Sequence, residues 1–301
     1  MKGINVQAQN KLNLAGKLLD ATFGEGKLSD GRRYERATVT IRVTQTYNGK
    51  EETSEIPIGL FATEYTSTGK PNPAMKSIRD LKNMNTAQNV GIDAAANVRL
   101  SGATLQENNF VSRNGQLING WQIRGSFVNV ANVSDVASFV TDIFIMDMHD
   151  EVDRDGDSTG RLIVRGGIVQ YGGRLDVVEF VVEGSDKVEY ISRNWEINST
   201  VTAKGRIRVT SVEEVPSGNS GWGEEIPETT TRYVRELVIT TGDDGPKEEE
   251  FSYDPTEIKK AFNERKAMIE QMQINARTMQ PKQGAGSANA ESTASSKYSW
   301  E

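Results

Sequence analysis

Apolar and polar positions alternate with a period of two through most of the first part of the chain. In RRYERATVTIRVTQTY, Ala37, Val39, Ile41 and Val43 alternate with Thr38, Thr40, Arg42 and Thr44, the pattern of a strand with one face in a core. Before it, NKLNLAGKLLDATF reads as a long strand interrupted at Gly16, where a glycine permits a bend or bulge. Asn48-Gly49 then turns the chain into KEETSEIPIGLFATEY. The period changes after that. Met75, Ile78, Leu81 and Met84 in PNPAMKSIRDLKNM share one face of a short helix. ANVRLSGATLQENNFV and LINGWQIRGSFVNVANV return to strands joined at Arg113-Asn114-Gly115, because Asn-Gly accepts the positive φ angles of a tight primed turn. Three strands, a helix and two strands make the order of a five-stranded OB barrel.

The second part repeats the style. SFVTDIFIMDM alternates, GRLIVRGGIVQYGGRLDVVEFVVEG holds two strands around a glycine-rich turn, SDKVEYISRNW suits a short helix, and STVTAKGRIRVTSVEEV and TTRYVRELVITTG resume the sheet. A second OB-like barrel is the economical reading, with a boundary near Val133-Ser134 and PSGNSGWGEEIPE as a loop. Asp254, Pro255 and Glu257 open a helix with the spacing of a capping box. Its Ile258, Phe262, Ile269 and Met272 face one way, either onto the molecule's own barrel or toward a partner helix. QPKQGAGSANAESTASS is a disordered tether by composition. The expected fold class is therefore mainly β: an OB domain over 1–133, an acidic OB-like barrel over 134–254, an amphipathic helix over 255–279 and a tail over 280–301.

Charge changes the picture. The chain carries -7 overall, yet residues 10–133 hold 15 Lys/Arg against 11 Asp/Glu while 134–254 hold 12 against 26. The two parts are expected to do different jobs, since a nucleic-acid surface need only be locally basic. No apolar run reaches the length of a membrane span and no secretory leader is visible, so a cytoplasmic location is expected, the host cytoplasm for a virus-encoded protein. The sequence has no cysteine and one histidine, His149, which removes thiolate zinc sites and most imidazole-based hydrolysis. Neither a phosphate loop nor a Gly-x-Ser-x-Gly elbow occurs. Glu151, Asp153, Asp155 and Asp157 in EVDRDGDSTGRL imitate a calcium loop, but its twelfth position is Leu162 where a carboxylate is needed. The expectation is a solvated turn, a protein that is no enzyme, and no cofactor.

Taken together, NKLNLAGKL, YERATVTIRVTQ, IGLFA and NVRLSGATLQENNFVSRNGQLINGWQIRGSFVNV resemble the single-stranded DNA-binding proteins of the bacterial and phage replication type, over about residues 10–133. Asn10, Leu12, Leu14 and Gly16 match the first-strand pattern, and Leu100, Gly102, Leu105 and Phe110 match the penultimate strand. The resemblance implies an OB fold that coats single-stranded DNA in replication or recombination without reading its sequence, with Phe61 and Phe110 as base-stacking platforms. Trp121 and Tyr34 are further candidates to stack, though most aromatics are core and Phe110 and Trp121 are weighed against that reading too. Arg32, Arg33, Arg42, Arg99, Arg113 and Arg124 are the expected phosphate contacts, with Arg36 beside them. Residues 1–133 alone are expected to bind at least as well as the whole chain. The acidic part or the tail, ending Lys297-Tyr298-Ser299-Trp300, would meet replication or recombination proteins, and a homo-oligomer is possible on this reading. The rival reading is a virion structural or assembly protein built from β-barrels.

Overall fold

The computed structural model describes residues 1–112, 115–214 and 230–279. Its first half contains β1 (Asn10–Lys27), β2 (Arg33–Tyr47), β3 (Lys50–Thr63), helices α1 (Pro73–Leu81) and α2 (Ala87–Val90), and six short strands. These are β4 (Asn97–Ser101), β5 (Thr104–Glu107), β6 (Phe110–Val111), β7 (Leu117–Ile118), β8 (Trp121–Gly125) and β9 (Phe127–Val130). The second half contains β10 (Val136–Val152), β11 (Ser158–Val169), β12 (Leu175–Val182), α3 (Ser185–Asn194), β13 (Thr200–Glu214), β14 (Thr230–Gly242) and the long α4 (Pro255–Met279). The fold is mainly β with a C-terminal helix.

Pairing closes the first half into a circuit. β1 pairs with β2, β2 with β3, β3 runs parallel to β8, and β8 and β9 pair with β5 and β4, the last of which returns to β1. The side chain of Asn10 completes the closure: its Nδ2 donates to the Leu105 carbonyl at 2.7 Å, and its Oδ1 accepts from the Leu105 N–H at 3.0 Å. A buried amide thus satisfies backbone groups that a ladder would otherwise have to pair. The second half repeats the circuit with β10, β11, β12, β14 and β13, again with the third and last strands parallel and a helix between the third and fourth. The penultimate and last strands expected in the first circuit are each split in two, the former at Gly102, whose φ is +63°.

β1 joins the two circuits. Asn10–Ala15 pair with β10, and Lys17–Lys27 pair with β2. The interruption expected at Gly16 does not occur, because β1 is continuous through it; Gly16 instead marks the change of partner, where a Cβ would lie 2.1 Å from the Arg42 carbonyl oxygen. The irregularity in register comes later, between Leu18 and Asp20. One continuous core of strand-derived aliphatics runs through both circuits, from Leu14, Val39 and Ile58 to Val164, Phe180 and Leu237.

The capping box expected at α4 does not close. Asp254 Oδ1 accepts from the Thr256 N–H at 2.7 Å, but the Glu257 carboxylate accepts from the Ile4 N–H at 2.6 Å. It ties the first residues of the chain to this helix. Ile258 is buried and Phe262 half-buried, whereas Met268 and Met272 are exposed, so only the first turns of α4 pack. Arg265 holds Glu107 of β5, and the Glu107 N–H in turn donates to Asp176 of β12 at 3.1 Å. The helix is therefore pinned at the seam of the two circuits. The loop read at 216–228, the tail over 280–301 and its terminal aromatics lie outside the described residues.

Candidate nucleic-acid interface

Outward positions of β1, β2, β3 and β8 lie side by side. Register sets Gly24 opposite Arg36, Gly26 opposite Tyr34, Arg36 opposite Phe61, and Gly59 opposite Arg124. A Cβ at Gly24 would meet Arg36 Nε at 2.8 Å, one at Gly26 the Tyr34 hydroxyl at 2.7 Å, and one at Gly59 Arg124 Nη1 at 2.9 Å. These glycines let three long side chains lie flat on the sheet, with the close approach that only a missing side chain permits. The Tyr34 and Phe61 rings stand 5.3 Å apart with a tilt of 31°.

A cleft of about 770 Å³ follows this face. Lys27, Arg36, Arg124 and Arg235 supply four cations to its lining, Tyr34 and Phe61 supply exposed ring surface, and none of the lining residues is acidic. Phe61 is 46% exposed although it sits in mid-sheet. Burial pulls the Arg124 guanidinium somewhat below its ordinary value, yet an arginine there stays charged. Ring surface flanked by cations is the equipment for stacking bases and neutralising phosphates.

Of the residues singled out from sequence, Tyr34, Phe61 and Arg124 meet in this cleft. Arg32 and Arg33 stand at the β1–β2 hairpin that forms its rim, where Arg32 pairs with Asp30 at 2.7 Å. The rest do not assemble there. Arg42 is paired with Glu55 at 2.6 Å, and Arg99 donates to Asn13 at 3.3 Å on β4. Phe110 is 47% exposed but belongs to the separate β6–β7 ribbon beside α4. Trp121 is no platform: it is 7% exposed, and the Arg235 guanidinium covers its ring at 4.4 Å. It sits on the inward parity of β8 with buried Ile123, while Gln122 and Arg124 face out. Arg113 lies outside the described residues. Lys27 and Arg235 were missed; alternation within a strand carries no information about which strands stand side by side.

The acidic imitation of a calcium loop is a hairpin turn in which Asp153 Oδ1 accepts from the N–H groups of Asp155 and Asp157, both at 2.9 Å. His149 is exposed and bonded to Asp147 at 2.8 Å. Trp195 is buried and donates to the Asp243 carbonyl at 2.9 Å.

Comparison with solved structures finds the same OB-type fold in a known protein. The wild-type single-stranded DNA binding protein from Thermus aquaticus aligns with a TM-score of 0.50 and 11% identity over 81% of this chain and 95% of that one. A deletion mutant of the same protein gives 0.50 and 12% over 81% and 97%. No curated protein matches the sequence. The chain belongs to the YorF family, whose profile matches residues 9–275.

Proposed function

We propose that this protein binds single-stranded DNA without sequence preference and coats exposed strands during replication or recombination. The observation that carries the reading is the cleft: three aromatic residues, Phe23, Tyr34 and Phe61, and four cations line it, with no acidic residue among the lining. The likeness to the Thermus aquaticus single-stranded DNA binding protein supports the same reading. Bases stack on Tyr34 and Phe61, and Arg36, Arg124 and the hairpin residues Lys27, Arg32 and Arg33 take the phosphates. Every base has a π face, so such a site is indifferent to sequence. The reading includes a division of labour in which the first circuit binds the strand and the acidic second circuit or the tail meets other proteins of the same process. It assigns the protein no catalytic step.

The test is fluorescence anisotropy with labelled oligothymidylate, a duplex and a matching RNA, over a range of salt. Tight binding to the single strand, weaker binding to duplex, and affinity that falls with salt are expected. Folded protein that leaves oligothymidylate unbound at low salt would overturn the reading.

A further inference from the structure

We propose that the strand path continues past the first circuit, with Arg235 and Tyr233 of β14 forming its far wall. The inference rests on the reading of the cleft as a single-strand site, and it assigns binding residues to the acidic half of the chain.

Arg235 lines the cleft although it belongs to the second circuit. Its guanidinium stands 4.4 Å from the buried Trp121 ring of β8, a cation–π contact that fixes the charge in place before any ligand arrives. A guanidinium seated on a ring has its N–H groups in its own plane, directed to the side. Arg235 and Arg124 line the same cleft.

The arm that carries Arg235 is fastened to the first circuit. Val209, its register partner on β13, donates its N–H to Ser54 Oγ of β3 at 3.1 Å. One step further along, Arg206 stacks on the Tyr47 ring at 3.8 Å and pairs with Glu52. The β13–β14 ribbon therefore cannot swing clear of the cleft without breaking these contacts.

Strand alternation puts Tyr233 on the same face as Arg235, two residues away and about 7 Å along the strand. Its side chain is 48% exposed, and its register partner is Ser211, which offers no ring or aliphatic surface to cover it. An exposed tyrosine beyond a fixed arginine continues the alternation of ring and cation that begins at Tyr34 and Arg36. A strand that leaves Phe61 past Arg124 meets Arg235 and then Tyr233.

The experiment compares Tyr233→Ala and Arg235→Gln with Phe61→Ala in the full chain, reading affinity for short and long labelled oligothymidylate together with thermal melting. Tyr233→Ala is expected to leave melting unchanged and to weaken the long oligonucleotide about five- to fiftyfold, with little effect on one short enough to fill only the Tyr34–Phe61 face. Arg235→Gln should also weaken long-strand binding and lower the salt slope by about one. Phe61→Ala should weaken both lengths. If Phe61→Ala weakens binding while Tyr233→Ala binds both lengths as wild type does, the path ends at Arg124 and this inference is overturned, with the function intact. If wild type binds neither length, the function itself falls. Should Arg235→Gln lower melting through its contact with Trp121, Tyr233→Ala, at a half-exposed side chain, decides alone.

Discussion

The two strand circuits share a topology and differ in what they present outward. Across the first three strands of the first circuit, one outward row reads Gly24, Arg36, Phe61. The corresponding row of the second reads Asp147, Arg165, Glu179. A cation between a glycine and a ring has become an arginine between two carboxylates. On a neighbouring face, Arg161, Arg206 and Arg208 interleave with Glu52, Glu183 and Glu236. Burial works against the charges of Arg208 and Glu236, but hydrogen bonds to Glu183 and then Glu236 hold the guanidinium above its ordinary value, and those from Arg161 and then Arg208 hold the Glu236 carboxyl below its own. The lesson is that arginine count does not mark a nucleic-acid surface; what matters is which side chains stand in the same row as the arginines.

The comparison breaks most sharply if the ring pair is removed. Tyr34→Ala with Phe61→Ala is expected to cost about 2 to 5 kcal/mol of single-strand binding, the scale of one to two lost stacks with some coupling, measured by anisotropy at fixed salt. Phe110→Ala, on its own ribbon, should leave affinity unchanged. Next in size is Arg208→Ala, which leaves Glu183 with Arg206 alone and Glu236 with Arg161 alone. A loss of about 2 to 3 kcal/mol in folding stability is expected, since their side chains are largely covered, with oligonucleotide affinity preserved in the folded fraction. Arg36→Glu gives the first circuit the acidity of the second, and should weaken binding about tenfold and lower the salt slope by about one. The converse change, Glu179→Gln, should leave affinity within twofold of wild type. Smallest of all is pH: burial lowers Arg124, yet an arginine keeps its charge across neutral pH, and the cleft lining holds no histidine or carboxylate. Affinity flat between about pH 6 and 9 is expected, and a titration near neutrality would point to groups outside the cleft.

Much of this architecture was legible in the sequence. The period-two runs located the long strands, the Met75–Ile78–Leu81 spacing located α1, and the Asn10-to-Gly16 pattern carried the likeness to single-stranded DNA-binding proteins. Phe61 was singled out by the same likeness, Tyr34 by its place at the loop between the first two strands, and Arg124 by its place beside Trp121. The errors come from quantities that a one-dimensional pattern does not hold. Trp121 and Ile123 share a parity, so the inward direction was written there, but Trp121 was read beside Phe110 rather than beside Ile123. Phe110 left the sheet because the chain splits into a ribbon after Glu107. Arg235 is more than a hundred residues from Trp121 in sequence, and only the parallel closure and the docking of the β13–β14 arm bring the two together. Glu257 has the right spacing for a capping box, yet Ile4, from the other end of the chain, offers the N–H it accepts.

The eighteen-residue first strand has a consequence for how such a protein is inherited. Its opening residues, Asn10–Ala15, hydrogen-bond to Val136–Thr141 across the point where composition divides the chain. A gene cut between the codons for 133 and 134 would release two products, each with a bare strand edge, and bare edges recruit other chains. The halves are not interchangeable cassettes. Duplication, loss or exchange of one without the other carries an aggregation cost, so selection acts on the pair as a single hereditary unit.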